Sequence, residues 1–119
     1  MENLQNLEKK INSELNTKIN NSIIKNNQIY LDIDNIDLID VIMFLKNNKD
    51  TKFKQLVDIT TIDYPENEKR FKMVYLLLSH EFNKRIIINF SIKENESVTS
   101  LFKIFPSSNW MEREVFDMY

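Results

Sequence analysis

The chain contains no glycine in 119 residues, and this absence restricts both its turns and its chemistry. Ordinary usage of about 7% would give about eight glycines. Glycine-rich phosphate loops and dinucleotide-binding turns need backbone positions that only glycine supplies, so the sequence excludes both kinds of nucleotide site. A turn that requires a positive φ must use another residue, and asparagine is the best substitute.

The rest of the composition narrows the class of protein further. The absence of cysteine excludes disulfides, a thiolate nucleophile, cysteine-ligated iron–sulfur clusters and cysteine-type zinc sites. The net charge is −2, from 16 basic and 18 acidic residues without a basic block, which argues against nucleic-acid binding. The longest strongly apolar run, residues 73–78, is far shorter than the ~20 residues that span a bilayer. We therefore expect a soluble globular domain.

Amino-acid composition and the N-terminal residues indicate where such a chain is made. Lysine outnumbers arginine 13 to 3, and asparagine and isoleucine occur 16 times each. Lysine, asparagine and isoleucine have A/T-rich codons, which suits an A/T-rich bacterial or organellar genome. The first residues resemble neither a secretory signal nor an arginine-rich import helix. If the protein works in an organelle, we expect it to be encoded there.

The N-terminal third has the pattern of a helix, a hairpin and a second helix. Apolar residues at helical spacing predict an amphipathic surface helix within residues 1–20, ended by Asn20-Asn21: Leu4, Leu7, Ile11, Leu15 and Ile19. Two short strands and a helix are predicted next: residues 22–25, 28–33 and 37–47. Asn26-Asn27 favours the left-handed turn of a hairpin, and Asp34-Asn35 offers an N-cap for the helix.

The rest of the chain predicts three longer strands: residues 55–64, 71–79 and 84–92. The last two are close enough along the chain for an antiparallel hairpin, and residues 71–79 are largely apolar on both faces, which is typical of a central strand. Residues 97–105 predict a short helix, and Asn109 opens a final one. Together these elements predict an α/β (α+β) domain with a single mixed sheet of about five strands and helices packed on it.

Three ionisable residues are candidates for chemistry, and each has a structural alternative. His80 lies in a predicted hairpin loop without a serine or cysteine nucleophile motif, so a solvated histidine is favoured over a catalytic base. Asp58 and Asp63 are five residues apart on a strand and face opposite sides, which argues against a catalytic carboxylate pair. A carboxylate in an apolar strand needs a partner, which Arg70 or Arg85 could supply. Structural pairing is favoured over chemistry.

The C-terminal segment carries the densest pattern. Asn109 and Glu112 have the spacing of a capping box, and Arg113 and Asp117 form an i, i+4 pair. Apolar residues share one helix face: Met111, Val115, Met118 and Tyr119. An ordinary surface helix accounts for this pattern. However, arginine is scarce here, which suggests that each arginine stands where a bidentate guanidinium is required.

Four blocks occur in a familiar order: LVDITTIDYP at 56–65, RFKMVYLLLS at 70–79, NKRI at 83–86 and NWMEREVFDMY at 109–119. Together they resemble the respiratory complex I 30 kDa subunit, a family that is called NADH dehydrogenase subunit 9 in mitochondria and that also occurs in bacteria. The resemblance covers about residues 55–119. It implies a single domain of this type over residues 1–119, in which residues 107–119 form the family's signature helix.

The resemblance implies a non-catalytic structural subunit in the arm of NADH:ubiquinone oxidoreductase that projects from the membrane. Such a subunit binds no cofactor itself; NADH, FMN, iron–sulfur clusters and ubiquinone belong to neighbouring subunits. Its partners are the larger quinone-site subunit and its iron–sulfur neighbours. The implied location is the matrix side of the mitochondrial inner membrane or, alternatively, the cytoplasmic face of a bacterial one. The matching motif positions are candidate interface or fold-locking residues: Trp110, Glu112, Arg113, Glu114, Asp117, Asp63, Tyr64, Arg70 and Arg85.

One departure from the family pattern leads to a further expectation. The pattern continues past Tyr119 with a glycine and a tail that wraps over the partner subunit, whereas this sequence stops there. Three explanations are open: a split gene in which a second chain supplies the tail, a sequence that is a fragment, or a lineage that has lost the tail. We favour a split or fragmented gene. Two alternatives to the scaffold remain: a protein-binding adaptor outside respiration, and a small hydrolase that uses Asp58, Asp63 and His80.

Overall fold

The structure is a computed structural model that describes residues 4–15, 17–48, 51–81 and 83–93, together with positions 98, 104–105 and 112–113. Its helices and strands follow one another as α1 (Leu4–Leu15), β1 (Ile19–Lys25), β2 (Gln28–Ile33), a 3-10 helix (Asn35–Asp37), α2 (Leu38–Asn47), β3 (Gln55–Asp63), β4 (Phe71–Ser79) and β5 (Lys84–Ile92). The helices predicted at 97–105 and 107–119 lie outside the described residues, except at the five separate positions.

The five strands form one mixed sheet in the order β1-β2-β5-β4-β3. Three neighbouring pairs are antiparallel, and β2 runs parallel to β5 because the chain leaves β2 through α2, β3 and β4 before it returns. The predicted fold class, a single mixed five-stranded sheet with helices packed on it, is therefore confirmed. The predicted hairpin between the last two strands is also present, and β4 is an interior strand.

Among the described residues, asparagine occupies three of the four positions with a left-handed backbone. Asn26 and Asn27 have φ values of 53° and 62° and form the two-residue turn between β1 and β2, as the sequence predicted. Asn83, with φ of 51°, lies in the turn before β5, and Lys52 has φ of 49° in the loop before β3. Both hairpin turns therefore use asparagine, the non-glycine residue that best tolerates a positive φ.

The boundary between α1 and β1 differs from the prediction. The helix ends at Leu15 instead of extending to Ile19, and β1 begins at Ile19 rather than at residue 22. A hydrogen bond of 2.8 Å from the Lys18 N–H to the Leu15 carbonyl closes the turn, and Ile19 then pairs with Ile33 in the sheet. Ile19 packs against the core from the strand. Its apolar side chain fits both the helical spacing of α1 and the alternation of β1, and the pairing with Ile33 decides in favour of the strand.

The predicted N-cap is replaced by a different contact. The Asp34 side chain makes no capping hydrogen bond, and a 3-10 turn separates it from α2. Its Oδ1 instead accepts a hydrogen bond of 3.0 Å from the Asn20 Nδ2, which joins the start of β1 to the end of β2. Asp34 therefore stabilises the β1–β2 hairpin rather than the start of the helix.

The core lies between the two helices and one face of the sheet, which we call the helix face. Apolar residues of α1 and α2 pack there, including Ile11, Ile42 and Leu45, which are fully buried. Phe105 is also part of this core. The Lys46 Nζ donates a hydrogen bond of 2.5 Å to the Ile104 carbonyl and lies 5.1 Å from the centroid of the Phe105 ring, so positions 104–105 contact α2.

Candidate interface residues and the open face of the sheet

Three of the predicted interface residues meet at the turn between β3 and β4. The Arg70 Nε donates to Asp63 Oδ1 at 2.7 Å, and the Arg70 Nη2 donates to Asp63 Oδ2 at 3.0 Å. The guanidinium therefore holds the carboxylate through two parallel hydrogen bonds. The Tyr64 N–H donates to the Arg70 carbonyl at 2.7 Å and closes the turn. Of the two candidate arginines, Arg70 is the partner of Asp63.

The electrostatics of this turn favour a structural carboxylate. Hydrogen bonding from Arg70 is the largest influence on Asp63 and lowers its pKa, although desolvation acts in the opposite direction. The guanidinium carbon also lies 5.2 Å from the centroid of the Phe71 ring. Tyr64 remains 42% exposed beside the pair. The turn is thus a corner fixed by an ion pair, with aromatic surface available to a neighbouring molecule.

Arg85 lies apart from this group, on the opposite face of the sheet. It pairs with Leu78 in the ladder between β4 and β5 and is exposed. No carboxylate of the described residues lies within ion-pair distance of it. Sequence reasoning left Arg70 and Arg85 as equal candidates because spacing along the chain does not reveal which strand face each side chain occupies.

The Glu112 side chain is buried close to Tyr75. Glu112 is 4% exposed, and Tyr75 is fully buried on the helix face, where its ring lies 5.6 Å from that of Phe90. Burial, and secondarily the negative charge of Glu112, raises the pKa of Tyr75. The Tyr75 hydroxyl has no hydrogen-bond partner in the described part of the chain. This polar cluster inside an apolar core involves a predicted residue, Glu112, and one that the sequence did not single out, Tyr75.

The described part of the signature segment consists of Glu112 and Arg113, and both are helical. Their side chains differ in environment, because Glu112 is buried whereas Arg113 is exposed. Trp110, Glu114 and Asp117 lie outside the described residues, and so does the predicted pairing of Arg113 with Asp117.

The residues considered for hydrolysis do not come together. Asp58 pairs with Leu76 on one face of the sheet, whereas Asp63 pairs with Phe71 on the other, as the spacing predicted. The Asp58 Oδ1 accepts a hydrogen bond of 2.9 Å from the Ile59 N–H of its own strand. His80 is exposed, and its Nε2 contacts the Gln55 Oε1. Among the described residues, no three histidine, cysteine or carboxylate side chains could hold a metal ion.

The face of the sheet that points away from the helices, which we call the open face, carries an apolar row that sequence reasoning did not identify. Ladder pairing aligns four side chains across neighbouring strands: Ile23, Tyr30, Ile87 and Leu76. Val74 and Leu78 flank Leu76 along β4. None of these residues belongs to the buried core. The signal was present in the sequence, because β4 is apolar at both odd and even positions.

A shallow cleft of about 330 Å³ lies at one end of this apolar row. Its charged lining consists of Lys25, Lys72 and Asp32, and Asn21 and Asn89 add amide groups. Such a mixture of ammonium, carboxylate and amide groups can exchange hydrogen bonds with a polar protein surface.

Comparison with known proteins supports the family resemblance. Residues 31–119 match the family model described as "Respiratory-chain NADH dehydrogenase, 30 Kd subunit". An NADH-quinone oxidoreductase subunit of Ruegeria pomeroyi is 45% identical over 92 residues, which are 77% of this chain and 46% of that protein. The corresponding subunit of Chelativorans sp. is 35% identical over 118 residues, which are 99% of this chain and 59% of that protein. The chain thus spans about half the length of these relatives.

A solved structure shares the fold. A chain of the membrane-bound sulfane sulfur reductase, described as an archaeal respiratory membrane complex, superposes with a TM-score of 0.84 at 18% identity. The superposition covers 97% of the present chain and 66% of that one. At this identity the likeness establishes the fold alone. Within the described residues, neither helix has the length and apolar character to cross a membrane.

Proposed function

Because the chain belongs to the family of the 30 kDa subunit of respiratory-chain NADH dehydrogenase, we propose that it is a structural subunit of NADH:ubiquinone oxidoreductase (complex I). In this role it lies in the peripheral arm and has no active site of its own. It braces the larger subunit that forms the quinone site with iron–sulfur neighbours. The family match over residues 31–119 carries the proposal.

A bracing subunit affects the reaction rate by fixing the distances between the reacting groups in its neighbours. NADH, FMN, the iron–sulfur clusters and ubiquinone are held by neighbouring subunits in this proposal, and none by this chain. Reaction rates in such sites depend strongly on placement, since a misplacement of about 1 Å can cost about 10²-fold. A rigid sheet that supports the quinone-site subunit therefore contributes to electron transfer without touching the reacting atoms.

The ion pair of Asp63 and Arg70 supports a positional role because the polar groups of both residues are engaged within the fold. The Arg70 guanidinium uses two hydrogen bonds on Asp63, and Asp58 binds the backbone of its own strand. Two exposed side chains are available to a partner: Tyr64, beside the ion pair, and Arg85, on the opposite face of the sheet.

In this proposal the signature residues divide into two groups. Glu112 locks the fold, because it is buried near Tyr75. Arg113 is exposed and faces a partner, where it engages a carboxylate through its guanidinium. We extend the interface role to three further positions by the family motif: Trp110, Glu114 and Asp117.

The proposed location is the membrane side where the peripheral arm stands. That is the matrix side of the mitochondrial inner membrane in an organelle-encoded system, or the cytoplasmic face of a bacterial inner membrane. The relatives from Ruegeria pomeroyi and Chelativorans sp. are bacterial, which favours the second setting. Washing membrane fractions with and without salt tests this location. A peripheral subunit should stay with the membrane-bound complex, whereas an unattached protein should be removed.

Purification of the native membrane complex tests the proposal directly. The tagged chain is expected to bring down the other subunits of an NADH:ubiquinone oxidoreductase, and mass spectrometry identifies them. An intact, active complex that lacks this chain would contradict the proposal. A pool bound only to proteins away from the membrane would instead support the adaptor alternative.

A variant of the signature segment sharpens this experiment. Arg113→Ala is expected to lower the amount of assembled complex and its NADH:ubiquinone activity in parallel, because a buried interface carboxylate loses its partner. Lys9→Ala, at an exposed position on α1, serves as the control and should leave both unchanged. A fully assembled and active Arg113→Ala complex would remove Arg113 from the interface.

A further inference from the structure

We propose that the open face of the sheet is a docking surface for another subunit, one that presents an apolar ridge flanked by carboxylates. This inference rests on the proposed function, because that function supplies the complex in which the partner is found. It adds the place of contact and the chemistry of the partner. Its observations are the apolar row, the cations around that row and the size of the face.

The apolar row is continuous across four strands. Ile23, Tyr30, Ile87 and Leu76 occupy aligned ladder positions, so neighbours in the row are separated only by the strand spacing of about 4.8 Å. Ile23 is 53% exposed, although it is a large apolar side chain on an edge strand. A row about 14 Å long forms a shallow apolar track that fits a helix or strand of another polypeptide.

The open face of the sheet carries three cations. Lys25, Lys72 and Arg85 have no carboxylate of the described residues within ion-pair distance. By contrast, five cations outside this face have carboxylate partners: Lys18, Lys52, Lys54, Arg70 and Lys93. Exposed ion pairs contribute little to folding, so folding alone does not require the open-face cations to be paired. They remain available to the carboxylates of a partner.

The anions of the face do not cancel this charge. Asp58 is occupied by the backbone N–H of Ile59 at 2.9 Å, and the Thr60 hydroxyl also donates to it at 3.4 Å. Asp32 is left beside Lys25 and Lys72 in the cleft. Both carboxylates keep their negative charge, so three cations against two anions leave one net positive charge on the face, which favours an acidic partner surface.

The size and charge of the face select a protein partner over other occupants. Five strands of up to nine residues give a face of about 600 Å², near the ~800 Å² that each partner contributes to a standard interface. A second copy would bring equal cations together across a two-fold axis, which is unfavourable. Three cations are fewer than the four to eight, roughly, that mark binding to anionic lipid.

Photo-crosslinking in the intact complex locates the partner. A benzophenone amino acid replaces Leu76 or Ile87 in the tagged chain, and Ile36, which is 88% exposed on the 3-10 helix, is the matched control position. We expect crosslinks from positions 76 and 87 to one other subunit, at a segment rich in aspartate and glutamate. Crosslinks to lipid, to a second copy or to this chain itself, or none at all, would overturn the inference.

Charge reversal tests the electrostatic part. Lys25→Glu combined with Lys72→Glu is expected to reduce retention of the chain in the purified complex about tenfold at low salt, and the difference should shrink as salt is raised because salt screens exposed charges. Lys9→Glu on α1 is the control and should retain it as the unchanged chain does. Retention equal to that of the control would overturn the inference. If the unchanged chain is itself absent from the complex, the proposed function fails, so the two failures are distinguishable.

Discussion

Replacing Tyr75 with phenylalanine should stabilise the protein, which is the opposite of the usual effect of a core substitution. Tyr75 is fully buried, and its hydroxyl has no hydrogen-bond partner among the described residues. A buried polar group without a partner costs about 1–3 kcal/mol, and Tyr75→Phe removes that cost. The ring is kept, so its contact with Phe90, at 5.6 Å between centroids and an interplanar angle of 45°, is preserved.

The expected gain follows from two opposing contributions. Loss of the hydroxyl leaves a void of roughly 10 Å³, and at ~24 cal/mol per Å³ this void costs only about 0.2 kcal/mol. The free energy of unfolding should therefore rise by about 1–2 kcal/mol, and the melting temperature by about 4–8 °C. Urea denaturation of the two proteins at neutral pH measures the difference.

A matched control separates the effect of burial from the loss of any hydroxyl. Tyr30→Phe removes a half-buried hydroxyl that donates to the Gln28 Oε1 at 3.3 Å, and it should change stability by less than about 0.5 kcal/mol. In a Glu112→Gln background the gain from Tyr75→Phe should persist, since burial is the larger cause of the raised pKa of Tyr75. A loss of more than about 0.5 kcal/mol on Tyr75→Phe would refute the reasoning, because a hydrogen-bonded hydroxyl would then be indicated.

Three further predictions concern the ion pair, a turn and the two faces of β4. The folded protein lowers the pKa of Asp63, so its contribution to stability is present above the ordinary aspartate pKa of about 3.9 and is lost as pH falls through the lower folded value. The difference in urea midpoint between the unchanged protein and Asp63→Asn should therefore shrink between pH 5 and pH 2, roughly; a difference constant with pH would contradict this. Asn27→Gly should raise the free energy of unfolding by about 0.5 kcal/mol because the residue has φ of 62°, whereas Asn27→Val should lower it, and equal stabilities would argue against the left-handed turn. Leu77→Ala on the helix face should cost about 2–5 kcal/mol, and Leu76→Ala on the open face less than about 1 kcal/mol in the isolated chain. Equal losses would show that both faces are covered.

Local sequence rules succeed where one residue type controls the backbone. The turn at Asn26-Asn27 follows from the absence of glycine and the tolerance of asparagine for positive φ. The strands β2, β4 and β5 begin and end at the predicted residues because their apolar alternation is regular and their turns are short. These features need no knowledge of the rest of the fold.

Sequence rules fail where the same residue fits two patterns. Ile19 continues the helical stripe of α1 and also begins the alternation of β1, and only its pairing with Ile33 across the hairpin settles the choice. The partner of Asp63 depended on the sheet in the same way. The register shift between Leu56 and Asp58 sets which face each aspartate occupies, and a bulge of this kind is fixed by pairing rather than by composition.

The open face leaves one apolar side of β4 without a covering element among the described residues. A strand that is apolar on both sides, as β4 is, is normally covered on both sides, because each exposed apolar face forgoes about 25 cal/mol per Å² of burial. The described helices cover only the side that carries Tyr75 and Leu77. Within the described residues, the requirement for burial at Leu76 and Ile87 is therefore not met by the fold. A second polypeptide that buries these side chains would gain the hydrophobic free energy of their exposed apolar surface.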